Sequence, residues 1–149
     1  MNTMEDIRGF VAEKQIAVAG ISRDLRSFSA SAWRELKQRG YTLFPVNPNA
    51  ESIHGERCFA GLAKLPAKVG GVLVFTPPAR TAQVVRDAVA AGIRRVWIQQ
   101  GAESEEAVRL CREHGLAAVT KQCIMMYVEP VGSIHAFHRW VKTLFGGMP

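Results

Sequence analysis

The chain has 149 residues, of which 48% are hydrophobic and 21% charged, and its formal net charge is +6 at pH 7. This length favours a single domain, and no apolar run approaches the roughly 20 residues that a membrane-spanning helix needs. The three cysteines, Cys58, Cys111 and Cys123, are odd in number and widely spaced, which predicts neither a disulfide framework nor a zinc site. Because the first residues lack a secretory signal pattern, we expect a soluble, cytoplasmic protein without a membrane partner.

Apolar, β-rich segments alternate along the chain with segments of helical periodicity. Strands are predicted over residues 15–20, 42–46, 71–75, 94–99 and 116–120. Helices are predicted over residues 4–14, from Ser29 or Ser31 to Gly40, from Pro78 to Gly92, over residues 104–114 and over residues 133–145. This alternation is typical of repeated βα units, and strands without polar alternation are typical of a sheet covered on both faces. The sequence therefore predicts a single α/β domain over residues 1–149, with a five-stranded, mainly parallel sheet.

The closing helix predicted over residues 133–145 carries an apolar stripe that includes Ile134, Phe137 and Val141. Such a stripe has to be covered, either by the chain's own sheet or by its counterpart in a homodimer. The sequence does not decide between these two arrangements.

The positive net charge favours an anionic ligand such as a nucleotide, a nucleic acid or a lipid surface. The lysines and arginines are scattered, and the ribbon of basic and aromatic residues typical of a single-strand binder is missing from the sequence. We therefore expect a small nucleotide ligand rather than a nucleic acid.

Parallel α/β sheets bind ligands at the carboxyl ends of their strands, where the strand order reverses. The first loop that would lie there, residues 20–29, begins with Gly20, which lets backbone approach a phosphate. Further donors in this loop are Ser22, Arg23, Arg26 and Ser27. Together with the following helix N-terminus they form the candidate phosphate site. The loop lacks the GxGxxG motif, since Ser22 and Leu25 stand where glycines would be needed, and a plain strand-to-helix turn explains the same residues.

Three further loops follow the next three predicted strands. Asn47-Pro48-Asn49 stands where an NAD-binding domain places a ribose-binding acid, which argues against NAD but permits NADP if an arginine binds the extra phosphate. The same residues are also typical of a rigid turn. Phe75-Thr76-Pro77-Pro78 predicts a stiff wall for a flat base, although Pro78 alone also starts a helix. Gln99 and Gln100 offer amide side chains at the fourth loop.

In order, the segments IAVAGIS, GYTLFPVNP, IHG, VFTPP, AGIRRVWIQQGAES and AVTKQCIMM resemble CoA-binding domain proteins related to the amino-terminal domain of the succinyl-CoA synthetase α-subunit. The resemblance spans Ile16 to about Tyr127. It implies a Rossmann-like three-layer fold that binds coenzyme A or an acyl-CoA. The implied positions are Gly20 and Ser22 near the phosphates, Asn47 and Pro48 beside the nucleotide, Thr76, Pro77 and Pro78 against the adenine, and Gln99 and Gln100 along the pantetheine arm. The candidate set also includes Ile21, Arg23, Arg26, Ser27, Phe75 and Cys123.

The chain also departs from the family pattern. Asp24-Leu25-Arg26 keeps the arginine of the first loop but not its proline. The synthetase carries its phosphorylated histidine and its nucleotide-triphosphate site in other domains, so the resemblance does not imply ligase activity. We therefore expect a CoA-binding module rather than an enzyme. The alternatives are an NADP-linked oxidoreductase and an interaction protein whose nucleotide crevice is vestigial.

Cys123 follows the fifth predicted strand, where it could face the thiol end of a bound coenzyme. Lys121 would lower the pKa of this thiol if both side chains were partly exposed. Core packing is the alternative role of such a cysteine. For His54, the sequence favours a role in a turn.

Overall fold

The computed structural model describes residues 1–128, within which seven strands and four α-helices follow one another. The helices are α1 (Met4–Ala12), α2 (Phe28–Gln38), α3 (Pro78–Ala90) and α4 (Glu105–Glu113). The strands are β1 (Gln15–Ala19), β2 (Thr42–Val46), β3 (Ser52–Ile53), β4 (Glu56–Arg57), β5 (Gly71–Val74), β6 (Arg95–Gln99) and β7 (Ala117–Gln122). Two 3₁₀ turns cover Leu62–Lys64 and Ile124–Met126. The helix predicted over residues 133–145 lies outside the described residues.

Five of the strands form one sheet in the order β2-β1-β5-β6-β7, and all four pairings are parallel. The chain moves from β1 outward to β2 and then crosses back to β5 on the other side of β1. The strand order therefore reverses between β1 and β5, which makes this the switch point of the sheet. The predicted five-stranded parallel sheet is confirmed.

Helices cover both faces of the sheet. Ile16 and Val18 of β1 belong to a buried cluster with Phe10 of α1 and Trp33 of α2. Ala17, between them in the strand, belongs to the cluster on the opposite face, which contains residues of α3 and α4. Successive side chains of a strand point to opposite faces, so the apolar run of β1 supplies both cores at once. No helix among residues 1–128 is long and apolar enough to cross a membrane.

The start of α2 differs from the predicted one. Ser27, and neither Ser29 nor Ser31, is the N-cap, because its Oγ accepts the N–H of Ala30 at 3.2 Å. Ser29 instead lies in the first turn, where its Oγ accepts the N–H of Ser22 at 2.9 Å. The contact between Ser29 and Ser22 joins the first loop to the helix that follows it.

The β3–β4 hairpin was not predicted. His54 and Gly55 form its two-residue turn with φ values of 48° and 79°, as a type I′ turn requires. Ile53 is buried in the same core cluster as Trp33, and Glu56 pairs with Lys37 of α2 at 2.7 Å. The hairpin is thus docked against α2, and the expected turn role of His54 agrees with its backbone conformation.

Candidate functional site

The turn after β1 lies at the switch point and brings two chain segments into close approach. Gly20 has a φ of +87°, and a Cβ at this position would lie 2.6 Å from the backbone nitrogen of Thr76. Glycine is therefore needed here because the loops after β1 and β5 nearly touch. The sequence had suggested a different reason, namely that the missing side chain leaves room for a phosphate.

The first loop is held by bonds between side chains and backbone. The N–H of Asp24 donates to Ser22 Oγ at 3.1 Å, and the N–H of Arg26 donates to Asp24 Oδ1 at 2.9 Å. A hydroxyl that accepts such a bond still has its own proton to donate. Ser22, which is only partly buried, therefore keeps a donor for an anionic ligand.

Several positively polarised groups surround this loop. Arg23 and Arg26 are exposed, and Arg26 makes only a 3.4 Å contact with Asp24 at 92% side-chain exposure, which is a weak pair. The N–H groups of Phe28 and Ser29 open α2 and make no hydrogen bond within residues 1–128. The first turn of α2 contains no acidic residue. The helix N-terminus and the two arginines together favour a bound anion.

The loop after β2 is a turn built by Asn47. Its Oδ1 accepts the N–H of Asn49 at 2.8 Å, and its own N–H donates to the carbonyl of Phe59 at 2.9 Å. This supports the turn interpretation of Asn47, while Pro48 is exposed at the tip. Contact of either residue with a nucleotide stays a prediction.

An open cleft of about 820 Å³ lies beside this turn, and we call it the second-loop cleft. Its walls include Pro48, Asn49, Arg57, Phe59 and Lys64. Cys58 also lines the cleft. Burial raises the pKa of its thiol. Hydrogen bonds to the carbonyls of Asn47 and Phe59, together with the charge of Arg23, lower this pKa by less than burial raises it. β1 and β2 are neighbouring parallel strands, so the first and second loops lie side by side.

The loop after β5 turns one of its candidate residues inward. The Thr76 side chain is buried, with its hydroxyl 2.7 Å from Thr81 Oγ1. The hydroxyl of Thr81 donates its proton to the carbonyl of Ala102 at 2.7 Å. In the pair of hydroxyls, Thr76 is therefore the donor and Thr81 the acceptor. Pro77 and Pro78 are exposed. Of this loop, the prolines and not the threonine hydroxyl are accessible from the surface.

Exposed apolar side chains lie next to the same loop. The ring of Phe75 is 6.3 Å from that of Phe28, in an edge-to-face arrangement. Phe28 is 52% exposed and Leu25 is 62% exposed. Sequence reasoning missed both residues as candidates, although large apolar side chains within a polar loop are a recognisable signal. They provide an apolar surface next to the candidate phosphate site.

Two adjacent glutamines, one buried and one exposed, lie at the carboxyl end of β6. Gln99 is 4% exposed, and its Oε1 accepts the N–H of Ile124 at 3.0 Å. Its side chain therefore holds the 3₁₀ turn that begins there. Gln100 is exposed, so it is the glutamine that can meet a ligand along this edge of the sheet.

The end of β7 contains a bulge. Ile98 pairs with Thr120 and Gln99 with Gln122, which leaves Lys121 as the extra residue, with a φ of +59°. Cys123 follows and is partly buried with a free thiol. β7 is three strand intervals from β1, or roughly 14 Å, so Cys123 lies well away from the first loop. Cys111, by contrast, is fully buried, and burial raises its pKa to about 11.

His54 makes a contact that the sequence did not reveal. Its Nε2 lies 2.9 Å from the carbonyl oxygen of Ser22. The N–H of the same serine donates to Ser29 Oγ. Both backbone polar groups of Ser22 are therefore hydrogen-bonded, which fixes the first loop at this residue. The His54-Gly55 dipeptide signals a turn but not what its side chain touches.

The fold and these loops define a parallel α/β domain with its candidate site at the switch point. A family model for the CoA binding domain matches residues 14–129. The chain therefore belongs to the CoA-binding domain family, and the resemblance seen in its sequence is confirmed.

The relatives include one much longer protein and two proteins of similar length to this chain. The chain is 28% identical over 126 residues to the ADP-forming acetate–CoA ligase II of Archaeoglobus fulgidus, an alignment that covers 76% of this chain and 19% of the ligase. It is 27% identical over 111 residues to the uncharacterized protein YneT of Bacillus subtilis, covering 74% of this chain and 82% of YneT. The structure of a hypothetical protein from Pyrococcus horikoshii is similar, with a TM-score of 0.76 and 32% identity over 83% of this chain and 87% of that one. The chain thus spans about a fifth of the ligase and most of the two smaller proteins.

Proposed function

We propose that this chain binds coenzyme A, or an acyl-CoA, across the carboxyl ends of β2, β1, β5 and β6. The proposal rests on the first loop at the switch point, where exposed arginines lie beside helix N–H groups that make no hydrogen bond within residues 1–128. This is the arrangement that binds the diphosphate of a nucleotide in doubly wound sheets. Membership of the CoA-binding domain family supports this coenzyme over other nucleotides.

In the proposed complex the diphosphate lies against Gly20, Ile21 and Ser22, with Arg23, Arg26 and Ser27 around it. Asn47 and Pro48 lie beside the nucleotide, and Phe75, Pro77 and Pro78 lie against the adenine. Thr76 and Gln99 act through the backbone that they hold, since their side chains are bonded inside the protein. Gln100 lies along the pantetheine arm, which leads toward Cys123.

We propose that the protein binds the coenzyme in the cytoplasm and does not catalyse the ligase reaction. The alignment with the archaeal ligase covers 19% of that enzyme, so its activity is not transferred to this chain. A module that holds the coenzyme as a carrier, a sensor or a partner of a CoA enzyme fits the family and the site.

A substitution at Phe28 tests the phosphate site without disturbing the fold. Phe28 is the first residue of α2 and is 52% exposed. An aspartate there stabilises a helix N-terminus by about 0.3–1 kcal/mol, but its charge repels the phosphates. Phe28→Asn removes the same ring without adding a charge. We expect calorimetric titration with CoA to show Phe28→Asp binding at least about tenfold more weakly than Phe28→Asn.

Lys68→Gln is the control for loss of a surface charge, because Lys68 is exposed near the amino ends of the strands. It should bind CoA like the wild type, whose preparation is first shown by native mass spectrometry to be free of ligand. A wild type that binds no CoA or acetyl-CoA would contradict the proposal. Binding of NADPH in its place would favour an oxidoreductase, and a defined oligomer without any ligand would favour an interaction protein. Equal affinities of the two Phe28 variants would move the phosphates away from this loop.

A further inference from the structure

The second-loop cleft has the size of a small-molecule site and a fixed wall. Its volume of about 820 Å³ lies within the usual range for ligand pockets. The wall at Phe59 is tied to the end of β2, since its N–H donates to the carbonyl of Pro45 at 2.9 Å and its carbonyl accepts the N–H of Asn47 at 2.9 Å. The cleft is therefore a preformed feature at the carboxyl end of β2.

Two cations that have no counter-ion among residues 1–128 line the cleft. The guanidinium of Arg57 lies 5.1 Å from the centroid of the Phe59 ring, and both Arg57 and Lys64 are exposed. Neither forms a salt bridge within residues 1–128, and Glu51 is the one carboxylate among the described residues that line the cleft. Stacking on an aromatic ring orients a guanidinium while leaving its N–H donors free. The cleft thus presents a held arginine and a lysine to an anion.

The position of the cleft in the fold says which anion reaches it. In sheets with a switch point, the end of the second strand lies by the ribose of a bound nucleotide, and basic residues there accommodate an added ribose phosphate. β1 and β2 are neighbours about 4.8 Å apart. A ligand with its diphosphate at the first loop therefore places its ribose at the second.

We infer that Arg57 and Lys64 bind the phosphate monoester on the ribose of the ligand, which in coenzyme A is the 3′-phosphate. This inference rests on the proposed function and adds a specificity to it. Such a monoester carries a charge of about −1.5 to −2 at pH 7 and three acceptor oxygens, which suits one guanidinium and one ammonium. The two residues distinguish coenzyme A from its dephospho form, which lacks this group and is otherwise identical.

Titration calorimetry of the full chain with CoA and with dephospho-CoA tests the inference. Wild type should bind CoA at least about tenfold more tightly than dephospho-CoA, the scale of one hydrogen bond to a charged group. Arg57→Gln and Lys64→Gln should each weaken CoA binding and leave dephospho-CoA binding unchanged, so that the preference shrinks. Both side chains are exposed, and the melting temperature of each variant confirms that it is folded. Lys68→Gln should keep the full preference.

The possible failures are distinguishable. Equal affinity of the wild type for CoA and dephospho-CoA would overturn the inference and leave the proposed function standing. If neither compound bound, the proposed function would fall and the inference with it. A variant that weakens both ligands equally would show that its side chain shapes the loop rather than binding the phosphate. A preference for NADP⁺ over NAD⁺ that depends on Arg57, in a protein that ignores CoA, would overturn the assignment to the coenzyme.

Discussion

Replacing Gly20 by alanine should destabilise the protein more than the same change at any open turn. A methyl group here would lie 2.6 Å from the backbone nitrogen of Thr76 and 2.8 Å from the carbonyl carbon of Phe75, at a φ of +87°. Neither atom belongs to a flexible side chain, so the loops after β1 and β5 would have to separate. The perturbation therefore acts at the switch point itself.

The cost has two parts. A left-handed backbone conformation costs an alanine about 1–2 kcal/mol, and forcing an extra methyl into a packed contact adds about 1–3 kcal/mol. Together these predict a loss of roughly 2–5 kcal/mol from a total stability of about 5–15 kcal/mol. At a denaturant dependence near 2 kcal/mol/M, the urea midpoint should fall by roughly 1–2.5 M.

Gly40→Ala separates the two parts. Gly40 has a φ of +92°, and a methyl group there would have nothing within 4 Å. It should therefore lose only the conformational part, about 1–2 kcal/mol. Urea unfolding of the ligand-free proteins, followed by circular dichroism, measures both losses. If the two variants were equally stable, the close approach to Thr76 would not be what requires glycine at position 20, and the phosphate explanation would regain its place.

Two further substitutions have defined outcomes. Thr81→Val leaves the Ala102 carbonyl and the Thr76 hydroxyl without their partner, so urea unfolding should show a loss of about 1–3 kcal/mol. For Asp6, burial is outweighed by hydrogen bonds with Thr3 and by the N-terminal amine, so its pKa lies below 3.8. A lowered folded-state pKa stabilises above the unfolded value, and the effect is lost as the pH falls through the folded one. Asp6→Asn should therefore be less stable near neutral pH and equal to the wild type in acid.

The layout of the sheet was predictable because it depends on patterns that are local in sequence. For example, the strand predicted over residues 71–75 is observed as Gly71–Val74, and all four of its residues are buried. An uninterrupted apolar run predicts such a strand because a strand in a sheet with helices on both faces has no exposed side. The start of α2 was predicted less well, because Ser29 or Ser31 was expected to be the cap and the observed N-cap is Ser27. The hydroxyl of Ser29 instead accepts a hydrogen bond from the N–H of Ser22, seven residues earlier in the chain.

The hairpin of β3 and β4 escaped prediction for a different reason. Its two-residue strands are too short to show any periodicity. Its turn uses His54-Gly55 in place of the Asn-Gly or Asp-Gly pair that signals a type I′ turn. The same hairpin leads into the wall of the second-loop cleft, so Arg57 was missed along with it.

Within the candidate site, the sequence placed the four loops at the carboxyl edge of the sheet, where the structure has them, but it did not predict the directions of their side chains. Which loops meet follows from the strand order, because parallel strands share one carboxyl edge. Whether a polar side chain turns outward depends on partners far along the chain. Gln99 turns inward to the N–H of Ile124, 25 residues away, and Thr76 turns inward to a hydroxyl that is itself bound to Ala102. No local pattern contains this information.

These directions divide the polar residues of the site into two groups with separable effects. Thr76 and Gln99 are buried and bonded, so removing either side chain leaves an unsatisfied group and should lower stability and binding together. Arg26 and Arg57 are exposed and contribute little to the stability of the fold. Their loss should therefore lower binding without lowering stability. A ligand held mainly by the second group gains affinity from charge, and its binding must weaken as salt is added. In the proposed complex, the inward group would hold the loops that carry these charges, so variants of the two groups should differ in stability even where they bind equally weakly.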